Sequence, residues 1–113
     1  MNKYIKLLTL VPIFCFSLSG YTHNLEASIA SNERTPNYTL RDDHRNPYET
    51  LTFFEIKSDM KVVELSPGGG WYTEILANFL HEPGMLIAAH FDKNIDRAYF
   101  KNSRLAYEKK IAG

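Results

Sequence analysis

The chain has 113 residues, with 13 Lys+Arg balanced by 13 Asp+Glu for a formal net charge of zero. That length holds one domain, and the neutral balance argues against a dedicated nucleic-acid binder, which carries a basic excess. Cys15 stands alone, which excludes an internal disulfide and a cysteine-based zinc site.

The N-terminus departs from these averages. Lys3 and Lys6 precede an uncharged apolar run from Leu7 to Leu18, and the small residues Ser17, Ser19 and Gly20 lie at its end. This is the layout of a secretory leader, predicted over residues 1–20. The run is short for a membrane span, which needs about 20 apolar residues. A buried helix and an uncleaved membrane anchor are the alternatives. Two cleavage points offer small residues at alternate positions, Ser17-Leu18-Ser19 and Ser28-Ile29-Ala30. Loss of the leader removes two lysines and the one cysteine, which suits an oxidising compartment. An exported, periplasmic protein is expected, with no stable membrane span once the leader is removed.

Residues 21–40 are polar, rich in Ser, Thr and Asn, and show no sustained period, so a flexible linker is expected. The tripeptide Asn37-Tyr38-Thr39 reads as a plain turn rather than a glycosylation site. Residues 41–45 are a solvated charged cluster, with a lid over a ligand as the functional alternative. A helix is expected over about 47–56, with Asn46 as N-cap and Pro47 in its first turn. Ser58 to Lys61 is the turn that stops it. The β-branched run Lys61-Val62-Val63-Glu64-Leu65 predicts a strand. Ser66-Pro67-Gly68-Gly69-Gly70 breaks it. Trp71 to Leu80 restarts at helical period, and His81 to Gly84 ends that helix. Met85 to Phe91 predicts a second, nearly all-apolar strand of the kind a covered parallel sheet uses. Asn94 to Ile111 has helical composition. The order is that of an α/β chain: a helix, then a βαβ unit with a glycine-rich loop after its first strand. The domain is expected over residues 41–113.

Chemistry concentrates in that loop. Glycines at Gly68, Gly69 and Gly70 let a ligand approach the backbone, and the following helix start presents free N–H groups. Asp92 follows the second strand, where a carboxylate can accept hydrogen bonds from a ribose diol; a helix N-cap is its plainer role. Glu64 has the plainer alternative of a strand-end carboxylate. A dinucleotide fingerprint would need a third glycine where Thr73 stands, and no Walker loop occurs. Trp71 and Tyr72 read as packing residues, and His90 as a packed strand residue. His23, His44, His81 and His90 share no spacing that suits a metal.

Glu64-Leu65-Ser66-Pro67-Gly68-Gly69-Gly70 resembles motif I of the class I S-adenosylmethionine-dependent methyltransferases, with Ser66 where the first glycine usually stands. More narrowly, Arg45-Asn46-Pro47, Glu49-Thr50-Leu51, Phe53-Phe54, Glu64 and Trp71-Tyr72-Thr73-Glu74 are similar to a group of exported bacterial proteins predicted to be methyltransferases. The resemblance implies a Rossmann-like fold and S-adenosyl-L-methionine as cofactor. It implies that Glu64 binds the amino group of the methionine moiety. Ser66, Gly68, Gly69 and Gly70 would bring backbone to the cofactor, and Asp92 would hold the ribose hydroxyls. The chain supplies fewer strands than the full fold carries, so it reads as an N-terminal, cofactor-binding portion with an incomplete sheet. Neither a catalytic residue nor a methyl acceptor is identified, and activity of this portion alone is not expected. The competing readings are a non-catalytic exported binding or interaction module derived from that fold, and a nicotinamide-type dinucleotide binder disfavoured by Thr73. No metal and no nucleic-acid partner is expected.

Overall fold

The computed structural model describes residues 24–113. The expected leader, residues 1–20, lies outside them. The elements in chain order are α1 (Leu25–Ile29), α2 (Pro36–Thr39), α3 (Asp42–Arg45), α4 (Pro47–Phe53), β1 (Lys61–Leu65), α5 (Trp71–Phe79), β2 (Met85–Ala89) and α6 (Ala98–Ile111). The strands pair in parallel, Lys61 opposite Met85 through Leu65 opposite Ala89. The result is a small mixed helix/strand domain around a two-stranded parallel sheet.

Helix α5 forms the centre. Trp71, Thr73, Ile75, Leu76 and Phe79 are all buried, and Ile75 is fully so. Leu51 of α4 completes the core cluster with Trp71, Ile75 and Leu76, and Val62 of β1 and Leu86 of β2 pack against it. Side chains alternate across a strand, so Val63 and Ile87, paired in register, point away from α5. They stand 54% and 44% exposed, with Leu65 and Met85 exposed beside them. One sheet face is thus covered and the other is open. Among the described residues, no helix is long and apolar enough to cross a membrane.

Several boundaries differ from the sequence reading. From Asn24 to Leu40 the linker expectation does not hold. Asn24 caps α1 by accepting from the Glu26 N–H at 2.8 Å, and Leu25, Ile29 and Tyr38 pack on the core. The five residues of α1 are too few for a period to be visible. Arg34 ties this segment down. Its buried guanidinium binds both Asp42 oxygens, at 2.6 and 3.0 Å, and the Ile29 carbonyl at 2.6 Å. It also faces the Trp71 ring at 5.6 Å.

Asn46 makes no side-chain cap for α4. It is the N-cap residue of α4 by position, its carbonyl accepting from the Thr50 N–H at 3.0 Å, and at φ +45° it also closes α3, a conformation that asparagine tolerates better than most residues. Strand β2 stops at Ala89, two residues early, because β1 turns away at Ser66 and leaves His90 and Phe91 no partner strand; the Ser66 N–H makes the last cross-strand bond, to the Ala89 carbonyl. Helix α6 begins at Ala98 rather than Asn94. Asp92 Oδ1 accepts from the Asn94 N–H at 2.8 Å, an Asx turn that competes with helix.

Arg34→Ala is expected to lower unfolding free energy by about 3 kcal/mol, since it strands Asp42 and leaves a cavity beside Trp71. Urea unfolding checks this. A loss within ~0.5 kcal/mol, normal for an undocked surface segment, would show that α1 and α2 do not hold to the core.

Candidate functional site

The glycine-rich loop lies between β1 and α5, beyond the C-terminal ends of both strands, the side on which ligands sit in open parallel sheets. Ser66, Gly68 and Gly70 have φ of +51°, +59° and +89°. Gly70 is the N-cap of α5. An added methyl group there would crowd the Tyr107 ring at 3.2 Å, and the positive φ strains any side-chain-bearing residue. Gly69 faces Tyr38, whose hydroxyl would lie 2.2 Å from an added Cβ. Gly68 alone of the three has open space where a side chain would project.

The loop is held from three directions. Tyr38 donates from its hydroxyl to the Gly69 carbonyl at 2.8 Å, and Lys110 of α6 donates to the same oxygen at 3.2 Å. His90 bonds the Gly68 carbonyl through Nε2 at 3.2 Å, while its Nδ1 accepts from the Phe91 N–H at 2.8 Å. A carbonyl only accepts, so Nε2 carries the proton and Nδ1 does not. Lys110 also pairs with Glu74 in the first turn of α5 and sits 4.2 Å over the Tyr38 ring. Glu74 receives Thr35 as well, from its N–H at 2.9 Å and its hydroxyl at 2.6 Å. Burial would raise the Glu74 carboxyl, but the bonds from Lys110 and Thr35 outweigh it and hold it low.

Glu64, one residue before the end of β1, faces the α5 side, half-buried. Its Oε2 accepts from the Thr73 hydroxyl at 2.6 Å, and the buried Tyr107 hydroxyl lies 3.1 Å from that same Thr73 oxygen. Burial pushes the Glu64 carboxyl up, although the Thr73 hydroxyl opposes this. Asp92 is exposed, three residues beyond β2; its carboxylate accepts from the Asn94 N–H in a local turn, and its carbonyl accepts from the Ile95 N–H at 3.2 Å.

The five other expected site residues thus gather at β1 and its loop. Asp92 reaches the same end of the sheet through His90, whose bond to Gly68 ties the chain after β2 to the loop. Trp71 is a packing residue, as expected: buried, with its indole N–H donated to the Tyr38 carbonyl at 2.8 Å. Tyr38, Thr73, Tyr107 and Lys110 were not foreseen as site residues. In the sequence Thr73 stands where a dinucleotide fingerprint has its third glycine, and nothing local marks a tyrosine 34 residues further on as its neighbour. Among the described residues no cluster of His, Cys, Asp or Glu has the makings of a metal site.

No family model, curated protein or solved structure matches the chain.

Two outcomes follow from the geometry. Ser66→Gly is expected to raise stability by about 1 kcal/mol, since a left-handed φ costs a side-chain-bearing residue that much, and thermal unfolding reads it. Glu64, with its carboxyl raised in the fold, contributes stability that is full below its ordinary value of 4.5 and fades as pH rises through the folded value. Glu64→Gln is therefore expected to gain on the native chain as pH rises above the ordinary value of 4.5. Urea midpoints measured as pH rises check the sign, and a constant difference would contradict it.

Proposed function

We propose that the chain is the cofactor-binding portion of a class I methyltransferase-type protein and that its ligand is S-adenosyl-L-methionine. The observation that carries this reading is the loop at Ser66–Gly70. It stands at the C-terminal end of two parallel strands, its backbone is left-handed at Ser66, Gly68 and Gly70, and it is open to approach at Gly68. The rest of the proposed set lies on the flanking chain, Glu64 in β1 before the loop and Asp92 three residues beyond β2.

The charges of these residues suit the group. Glu64 offers a carboxylate to an ammonium, and Asp92 offers one to a pair of hydroxyls. Ser66 and Gly68 bring backbone close to the ligand. When bound, the cofactor supplies an electrophilic methyl group on a sulfonium. The described residues bind and orient it; the contribution of such a site is positioning. A nicotinamide dinucleotide fits less well, because Thr73 occupies the third-glycine position and is committed to Glu64.

The leader-like residues 1–20 support an exported, periplasmic location within this proposal. A second reading, an exported binding or interaction module without catalysis, draws on the open apolar sheet face at Val63, Leu65, Met85 and Ile87.

Calorimetric titration of the purified chain with S-adenosylmethionine and its demethylated product tests the reading. Saturable binding is expected, at least about tenfold weaker in Asp92→Ala, the order expected for loss of hydrogen bonds to a charged group. Affinity is also expected to fall as pH is lowered, because protonated Glu64 no longer attracts an ammonium. A folded chain that binds neither compound would leave the interaction module as the better reading.

A further inference from the structure

The hydroxyls beneath the loop have a fixed direction. Thr73 has one side-chain proton and gives it to Glu64 Oε2, because an ionised carboxylate can only accept. The Tyr107 hydroxyl is 3.1 Å from that threonine oxygen, so with the threonine proton already committed, Tyr107 is the donor. The order Tyr107 to Thr73 to Glu64 follows, running from α6 through α5 to β1. Thr73 and Tyr107 are both buried, so water does not compete for either hydroxyl and each bond strengthens the next.

Tyr107 also bears on the loop itself. Its ring closes over Gly70 and lies 5.1 Å from the His90 ring, and His90 holds Gly68. It is the one buried residue of α6. The groups that face Glu64 are therefore Thr73 and Tyr72 from α5, His90 beyond β2 and, through Thr73, Tyr107 from α6.

We propose that Tyr107 is a positioning residue for Glu64, acting through the Thr73 hydroxyl, so that the docking of α6 on the loop and the orientation of the Glu64 carboxylate are set together. This rests on the proposed function only for the identity of the ligand. The relay itself is a property of the chain.

The test follows the Glu64 side-chain carboxyl carbon by NMR as a function of pH, with the resonance assigned through Glu64→Gln. Tyr107→Phe removes only the donor hydroxyl. It is expected to move the Glu64 midpoint upward, because the bond that favours the ionised carboxylate weakens. Thr73→Val is expected to move it further, and Thr73→Ser to restore it. In the native chain the Tyr107 ring carbon bearing the hydroxyl is expected to titrate with the Glu64 midpoint, a readout that needs no variant to fold. S-adenosylmethionine binding to Tyr107→Phe in the same samples is expected to be about threefold weaker. A Tyr107→Phe chain with native amide spectrum and native Glu64 midpoint, or a native Tyr107 resonance flat through that midpoint, overturns the relay. If the native chain does not bind S-adenosylmethionine, the functional reading falls, while the Glu64 titration still decides the relay.

Discussion

A domain with two described strands has one central helix against which to bury apolar surface, and α5 is that helix. Strands cover it on one side through Val62 and Leu86, and α1 and α4 cover it elsewhere through Leu25, Ile29 and Leu51. With cover on more than one side, the buried part of the helix extends beyond its apolar residues, and Thr73 is buried too. A buried hydroxyl needs partners. Thr73 finds them in Glu64 of β1 and Tyr107 in α6. The polar arrangement beneath the loop is thus a consequence of how the core is built.

The same economy shapes the loop above. A run of three glycines has high conformational freedom, and an isolated loop of this composition would not hold one shape. Here three separate parts of the chain immobilise it: α2 through Tyr38, the segment after β2 through His90, and α6 through Lys110. Each contributes a donor to a loop carbonyl, leaving Gly68 as the open side. The closed and open sides together define the direction from which a ligand would come.

Charge pairs complete the enclosure. Glu74 collects Thr35 from the N-terminal segment and Lys110 from α6, so one carboxylate joins the two ends of the described chain. Arg34 and Asp42 do similar work a short distance away, in a bidentate pair with the arginine side chain fully removed from water. Helix α6 is held both by polar contacts, Lys110 to Glu74 and Arg104 to the Phe91 carbonyl, and by its rings, Tyr107 beside His90 and Phe100 beside Phe91. Among the described residues nothing gives the opposite sheet face such cover, and Val63, Leu65, Met85 and Ile87 are exposed there.

The local pattern by itself determined both strands, the break at Ser66–Gly70 and the span of α5, because hydrophobic period and glycine content act over a few neighbouring residues. It also pointed to Glu64 and the loop, where unusual residue types cluster. The ordered N-terminal segment was not legible, since four- and five-residue helices have no period and Arg34 is buried only because Asp42 and Trp71 meet it. The early end of β2 depended on where β1 turned away, and the late start of α6 on a turn at Asp92. The joining of Tyr38, Thr73, Tyr107 and Lys110 to the loop was decided by tertiary structure alone. Those contacts span 31 to 41 residues for Tyr38, Tyr107 and Lys110, and hydrogen bonds between distant side chains leave no periodic trace in the chain that makes them.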